Sequence, residues 1–347
     1  MIERLKELCL KNGVTGCEDE VRDYLLSHIP EDVEVKTDAI GNIMAFKRGK
    51  NRPASRLMVC AHMDEVGFII KSITSEGYLK FAPVGGIDRR LLPGKTVEIG
   101  DEKLPGVIGI KAVHLTSPSE RANPPKFKEL YIDIGAANQK EAENLVSPGD
   151  YAAFSTGSFD NGQTLRVKAI DDRAGCQIML DALSLDLEYD TWFAFTVQEE
   201  VGLRGAASAA FAIEPDIALI IETTTAADLP EIKGGGAVSR LGEGAVLSYA
   251  DRGTLYDRTL FEHVRNLAQT HSVKWQLKTM LAGGTDAGRI HISRSGVRCA
   301  GLAVPVRYLH SPNSMASLDD IRAVSDLSLL AINSLPSLSF GAASERI

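Results

Sequence analysis

An apolar run, Trp192-Phe193-Ala194-Phe195-Thr196-Val197, leads into two adjacent carboxylates, Glu199 and Glu200, and small residues follow from Gly205 to Ala210. The β-branched and aromatic content reads as a buried strand, and adjacent side chains at a strand end point in different directions. Glu199 and Glu200 can therefore hold different jobs, one binding a cation while its neighbour faces a water on that cation. A lone Glu-Glu reads more simply as a solvated acidic loop. Repetition of the pattern weighs against that. Other apolar runs end at His62, at Asp171, at Glu222 and shortly before His310. Such runs alternate with helical periodicity, which restricts the chain to an α/β fold: an open, mostly parallel sheet with helices on both faces.

Residues 1 to about 29 read as two helices broken at Asn12-Gly13 and Thr15-Gly16, the second opened by Thr15 or Glu18. Val33 to Phe46 reads as a strand pair turning at Gly41-Asn42, and Arg56 to Ala61 as a buried strand ending at His62-Met63-Asp64-Glu65. From about 66 to 163 the texture changes to short alternating runs punctuated by Gly85-Gly86, Pro93-Gly94, Gly100-Asp101 and Pro105-Gly106. That predicts a small all-β module, with one helix near Gln139 to Leu145. Ser117 to Lys128, rich in Pro and Lys, reads as a mobile loop.

Strand-then-helix alternation resumes at Leu165. Strands are expected over 165–170, 191–197, 216–221, 245–249, 273–277 and 297–304, with a helix across 260–268. Gly283-Gly284-Thr285-Asp286 reads as a helix N-cap loop, and 318–335 as a closing helix. The stretches on either side of the β module belong to one sheet. The expected organisation is one α/β domain, 1–67 and 164–347, with a β module, 68–163, inserted into it.

A net charge of −8 argues against a basic face for nucleic acid or an anionic membrane. No apolar run reaches the roughly 20 residues of a membrane span. The N-terminus, Met-Ile-Glu-Arg-Leu-Lys-Glu-Leu, lacks the apolar core of a signal peptide, so a cytoplasmic location is expected. The five cysteines are odd in number and contain no Cys-x-x-Cys, which excludes a disulfide framework and a structural zinc knuckle.

His62, Asp171, Glu200, Glu222 and His310 fall at or just beyond the C-terminal ends of expected strands, the edge where open α/β sheets place their sites. Singly, each has a plainer explanation: a core histidine, a helix cap, a loop residue. Together, two imidazoles and three carboxylates suit two divalent ions of the zinc or cobalt kind. One carboxylate must bridge, because two cations about 3.5 Å apart need a shared anion. His28, His263 and His271 on helices and His114 in the insertion read as structural.

Five motifs carry a family resemblance: Ala-His-Met-Asp-Glu-Val-Gly (61–67), Asp-Asp-Arg-Ala-Gly (171–175), Glu-Glu-Val-Gly-Leu-Arg-Gly (199–205), Gly-Gly-Thr-Asp-Ala (283–287) and His-Ser (310–311). In that order they resemble the M42 metallo-aminopeptidases, which include the tetrahedral (TET) and glutamyl aminopeptidases and some members labelled endoglucanases. The resemblance runs over nearly the whole chain, including Gly-Gly-Ile-Asp (85–88) of the insertion. It implies one metal held by His62 and Glu222, a second by Glu200 and His310, Asp171 bridging, and a cis peptide after Asp171. It also implies Glu199 as general base and Asp64 as the carboxylate that orients His62. One position departs from the family, which usually has Asp where this chain has Glu222; Glu is a competent ligand with a longer arm.

The implied activity is removal of N-terminal residues from peptides with a free N-terminus. The implied assembly is a homo-oligomer, a dodecameric shell built from dimers, with the insertion making the dimer contacts. Three rivals stand beside this: a deacylase or amidohydrolase with the same two-metal site, a glycosidase with no metal requirement, and a non-catalytic scaffold. The preferred first residue is open. The pocket that reads it is expected to draw on Asp251-Arg252-Gly253 and the loop around Gly283.

Overall fold

Helices α1 (Ile2–Leu10) and α2 (Asp19–His28) and strands β1 (Glu34–Thr37), β2 (Ile43–Lys47) and β3 (Leu57–His62) precede the insertion. They lie where the sequence predicts them. The computed structural model describes residues 1–232, 236–281 and 283–340. Every side chain of β3 is buried, as a central strand covered on both faces requires. Leu57, Val59 and Ala61 point into one apolar cluster, and Met58 and Cys60 into another on the opposite face.

The insertion contributes β4 (Gly67–Ile73), β5 (Leu79–Val84), β6 (Thr96–Ile99), β7 (Leu104–Gly109), the short helix α3 (Pro118–Arg121), β8 (Tyr131–Asp133), α4 (Gln139–Glu143) and β9 (Tyr151–Phe154). Its six strands close into an antiparallel barrel in the order β4-β5-β8-β7-β6-β9. Closure leaves no unpaired strand edge. Phe68 anchors the interior, with edge-on contacts to Phe81 and Phe154 at centroid distances of 5.0 and 5.2 Å. The stretch Ser117 to Lys128, read as a loop, carries the helical turn α3. Ser117 and Glu120 form a reciprocal capping box, a Ser-x-x-Glu signature visible in the sequence but overlooked there.

The chain then returns to the sheet through β10 (Phe159–Asp160), β11 (Thr164–Val167), α5 (Ile170–Leu183), β12 (Thr191–Thr196), α6 (Arg204–Ile213), β13 (Ile217–Thr225) and β14 (Ala245–Ser248). It ends with α7 (Arg258–Thr270), β15 (Trp275–Leu277), α8 (Ala287–Ile290), β16 (Arg298–Arg307), β17 (Ser314–Ser317) and α9 (Leu318–Ile332). The main strand order is β1-β2-β12-β3-β13-β16-β17-β11-β10, with β14 and β15 branching from β16. The central strands β12, β3, β13 and β16 are parallel neighbours, and the flanks on both sides pair antiparallel. Two antiparallel steps, β16 to β17 to β11, restore direction, so β11 points the same way as the parallel centre.

Helices cover both faces. α1, α5, α7 and α9 pack on one, α6 and α8 on the other. The small residues after Gly205 explain the second layer: Ala206, Ala209 and Ala210 are fully buried and bring α6 close to the strands. Among the described residues, no helix is long and apolar enough to cross a membrane.

Several expected boundaries move. β11 stops at Val167 rather than Ile170, because Ala169 takes a left-handed conformation and Ile170 already opens α5. β13 runs on to Thr225, so Glu222 lies within the strand rather than at its end; the β-branched Thr223, Thr224 and Thr225 extend it. β17, short and without apolar alternation, was not anticipated. α9 ends at Ile332, before the expected Leu335. Asp286 precedes α8 but does not cap it with its side chain; its carboxylate accepts from Thr196 and Cys60 instead.

Candidate metal centre

His62 is the last residue of β3, level with Thr196 at the end of β12. Glu199 and Glu200 follow β12 in a tight turn, where Gln198 and Leu203 adopt positive φ. Gly205 closes that turn, and a Cβ there would stand 2.3 Å from Asn42 Oδ1 and 2.4 Å from the Val197 carbonyl oxygen. Asp171 sits at an irregular first turn of α5, and its peptide bond to Asp172 is cis. Glu222 pairs with Ala303 inside the sheet, and His310 occupies the connection from β16 to β17.

These side chains converge on one cavity of about 430 Å³. His62 Nε2 lies 3.3 Å from Asp171 Oδ1 and 3.4 Å from Glu222 Oε1. His310 Nε2 lies 3.3 Å from Asp171 Oδ2 and 3.2 Å from Glu200 Oε1. The Asp171 carboxylate thus offers one oxygen to each histidine. Direct charge-assisted hydrogen bonds would be shorter, about 2.7–2.9 Å. Ligands at 2.0–2.1 Å from a tetrahedral cation stand about 3.3 Å from one another. The observed separations match the edges of such a polyhedron. Two potential ligand groups follow, His62 with Asp171 and Glu222, and His310 with Asp171 and Glu200; a third possible cluster joins His62, Glu199 and Glu200.

Electrostatics supports the same assignment. Burial pushes the Glu222 carboxyl up to about 8, and it raises Glu199 well above the ordinary carboxylate range, with Glu222, Asp286 and Glu200 adding to the effect. Burial opposes charge on His310, but Asp171 and Glu200 overcome it and lift the ring to about 11. His62 rises for similar reasons: burial disfavours its charge, and Glu222, Asp171 and Asp64 reverse the balance. Against burial, the two imidazoles hold Asp171 well below the ordinary carboxylate range. Yet a cluster that draws protons onto Glu199, Glu200, Glu222 and both imidazoles is short of positive charge. Divalent cations would supply it.

A supporting layer holds the centre. Asp64, fully buried, accepts the amide of Glu199 on Oδ1 at 3.0 Å and that of Glu200 on Oδ2 at 3.2 Å. Thr15 donates its hydroxyl to Oδ2 at 2.7 Å, and Oδ1 faces His62 Nδ1 at 3.4 Å. Thr15 is therefore a partner of Asp64 rather than the cap of α2. Glu18 Oε1 accepts the amides of Gly16 and Gln198, and Asn42 accepts the Val197 amide while donating to the Gly205 carbonyl. His310 Nδ1 is 2.7 Å from the Gly86 carbonyl oxygen, which leaves Nε2 free to ligate.

All seven residues singled out in the sequence, His62, Asp64, Asp171, Glu199, Glu200, Glu222 and His310, meet at this site. Thr15, Glu18 and Asn42, read in the sequence only as helix-start and turn residues, and Lys278 were not expected at the site. Asp251, Arg252 and Gly253 were expected to shape the pocket, but none of the three lines the cavity, and Asp251 is buried, accepting from Gly253, Thr254 and Tyr256. The loop at Gly283, Gly284 and Thr285 does line the cavity.

Residues 41–327 match the family model described as M42 glutamyl aminopeptidase. The chain is 31% identical to a lysyl aminopeptidase of Pyrococcus furiosus over 97% of this chain and 98% of the relative. Among solved structures it resembles the TET aminopeptidase of a marine sediment archaeon, Thaumarchaeota archaeon SCGC AB-539-E09, with 34% identity, a TM-score of 0.92 and 96% of each chain covered. It also resembles the Pyrococcus horikoshii TET1 peptidase, which can assemble into a tetrahedron or a large octahedral shell, with 35% identity, a TM-score of 0.84 and coverage of 95% and 99%. On this match, which spans most of the residues that build the site, the chain belongs to the M42 family of aminopeptidases.

Proposed function

We propose that the protein is a two-metal aminopeptidase. His62 and Glu222 would hold one ion and Glu200 and His310 the other, with the Asp171 carboxylate offered to both. The observation that carries this is the Asp171 carboxylate, whose two oxygens face different imidazoles at 3.3 Å each. When bound, two divalent cations such as zinc or cobalt supply Lewis acidity for the scissile carbonyl and lower the pKa of a water. Glu199 is the group left for proton transfer: it shares the cavity, and neither of the paired ligand sets at 3.2–3.4 Å needs it. It takes the proton from the attacking water, whose oxygen bonds to the carbonyl carbon. As the C–N bond breaks, Glu199 returns that proton to the leaving amine. Asp64 fixes both glutamates by accepting their amides and orients His62.

Family membership leaves the first residue open, since the matched family model is named for glutamyl cleavage and a relative for lysyl cleavage. We also infer a homo-oligomer in which the inserted barrel, β4 to β9, makes subunit contacts; Val113 and Leu115 on that module are 69% and 62% exposed. Aminoacyl anilides, with and without an N-acetyl group, test the activity after chelation and reloading with zinc, cobalt or manganese. Loss with chelator, recovery with metal and failure on the acetylated substrates support an aminopeptidase. Hydrolysis of acetylated substrates favours the deacylase, and indifference to chelator removes the metal mechanism.

A further inference from the structure

The connection from β14 to α7 folds back on itself. The Asp251 amide donates to the Thr254 carbonyl at 2.9 Å, and the Tyr256 amide to the Tyr249 carbonyl at 3.2 Å. Asp251 Oδ1 accepts the amides of Gly253 and Thr254 at 2.7 Å each, so its own turn holds the carboxylate. The other oxygen, Oδ2, accepts the Tyr256 hydroxyl at 2.8 Å. Tyr256 reaches that position by passing close over β16. A Cβ at Gly301 would stand 2.8 and 2.9 Å from two ring carbons and 3.1 Å from the hydroxyl oxygen.

The Tyr256 hydroxyl also meets Thr285 Oγ1, at 3.0 Å. A carboxylate only accepts, so Tyr256 donates to Asp251 and Thr285 donates to Tyr256. Burial raises the Tyr256 hydroxyl well above its ordinary range, and Asp251 adds to the effect, so the donor keeps its proton. All three side chains are buried, but only Thr285 lines the metal cavity. Beside it the wall is Gly283 and Gly284, where an added Cβ would meet nothing within 4 Å among the described residues. Side-chain packing therefore does not fix this wall, and Gly283 has φ +72°. Polar ties fix it instead. The Gly283 carbonyl accepts the amide of Arg252, from the same turn, at 2.9 Å, and Thr285 is tied to Tyr256. The next residue, Asp286, is anchored elsewhere, to Thr196 and Cys60 at the ends of β12 and β3.

We propose that Tyr256 is a positioning residue for substrate binding: through Thr285 it holds the 283–285 wall of the cavity where a bound peptide meets it. The proposal rests on the aminopeptidase reading and gives a role to residues that do not line the cavity. Glu199, Glu200 and His310 have separate supports, in Asp64 and the Gly86 carbonyl. Loosening the wall therefore weakens the hold on substrate while the chemistry and the metal loading stay in place. Its signature is a higher KM at constant kcat. A general loss of structure would lower kcat and metal content together.

The test measures kcat and KM on the aminoacyl p-nitroanilide that metal-loaded wild type cleaves best. The variants are Tyr256→Phe, Thr285→Val, Thr285→Ser and the Tyr256→Phe/Thr285→Val pair. Thr285→Val breaks the tie while leaving the bond from Tyr256 to Asp251 intact, which covers a Tyr256→Phe variant that folds poorly. Each single loss of the tie should raise KM about three- to tenfold, with kcat within about twofold and both metal equivalents kept. The double variant should lie within about twofold of the worse single, because one bond cannot be lost twice. Thr285→Ser, which keeps the hydroxyl, should lie nearer wild type than Thr285→Val. An unchanged KM in both singles overturns the proposal, as do multiplying effects in the double, a serine variant as weak as the valine one, or kcat falling with metal content. If wild type cleaves no anilide under any metal, the aminopeptidase reading fails, and hydrogen exchange still decides the role of Tyr256. Tyr256→Phe should then exchange the amides of 283–291 at least about threefold faster than wild type, with β13 unchanged. Equal exchange rejects the tie.

Discussion

Nδ1 of His310 lies 2.7 Å from the carbonyl oxygen of Gly86, so a loop of the barrel orients an imidazole of the sheet's candidate metal centre. The donated Nδ1 proton places the ring's lone pair on Nε2, toward Asp171 and Glu200. The inserted module is thereby joined to the candidate site and is more than an appendage.

This contact can be broken without substituting a ligand. Gly85 has φ +82°, and a Cβ there would stand 2.7 Å from Val66 Cγ1 and 3.3 Å from Glu200 Cβ. Gly85→Ala should displace the loop and weaken one of two metal equivalents by about 10–100-fold, the usual worth of an outer partner of a ligand. Metal titration by calorimetry checks this. Two undisturbed binding events would mean that the Gly86 carbonyl is incidental.

The adjacent glutamates should fail differently. Glu199→Gln keeps size and one acceptor oxygen but cannot take the proton, so metal content should hold while kcat falls by roughly 10²–10⁴. Glu200→Gln replaces an anionic ligand by a neutral one, so one ion should bind more weakly and excess metal should restore part of the activity. Elemental analysis beside steady-state kinetics separates them. Metal lost from Glu199→Gln and kept in Glu200→Gln would reverse the two roles.

Glu222 tests the departure from the family pattern. Glu222→Ala should lose about one metal equivalent, because Glu200, His310 and Asp171 still hold the other. Glu222→Asp should keep both. Equal metal content in wild type and Glu222→Ala would assign Glu222 to the sheet rather than to the centre.

Glu18 predicts a pH dependence of stability. Burial raises its carboxyl to about 7, against about 4.3 in an unfolded chain. Between those values the folded state holds a proton that the unfolded chain has released, so stability falls as pH rises through the window. Both backbone amides bond to the same oxygen, Oε1, which the amide of Gln reproduces. Glu18→Gln should therefore match the wild-type Tm near about pH 4 and exceed it near about pH 8. A Tm difference that stays constant with pH would rule out the linkage.

Residues local to a strand end were legible from the chain alone. His62, Glu199 and Glu200 follow apolar runs that fill both faces of a buried sheet, and that pattern is written residue by residue. Glu222 was found as a ligand candidate although its strand continues to Thr225, because the apolar run stops where the strand does not. The insertion was legible through its glycine and proline punctuation. Its short helix at Pro118–Arg121 was missed, although the capping box that starts it is local too.

What the sequence by itself determined is the alternation of buried strands and covering helices, and the acids and imidazoles at the strand ends. Only the tertiary structure decided how those groups are held and what faces them. Asn42 meets Val197 across 155 residues, Thr15 meets Asp64 across 49, and Gly86 meets His310 across 224. A turn asparagine, a helix-start threonine and a loop glycine each have ordinary local explanations, and no periodicity marks the partner. Lys278 shows the same limit. Its type and neighbours describe one more charged residue after a strand, and only the fold places it, buried, against the cavity with no counter-ion among the described residues. Long-range contacts of this kind depend on where the fold returns the chain, which local propensity does not encode.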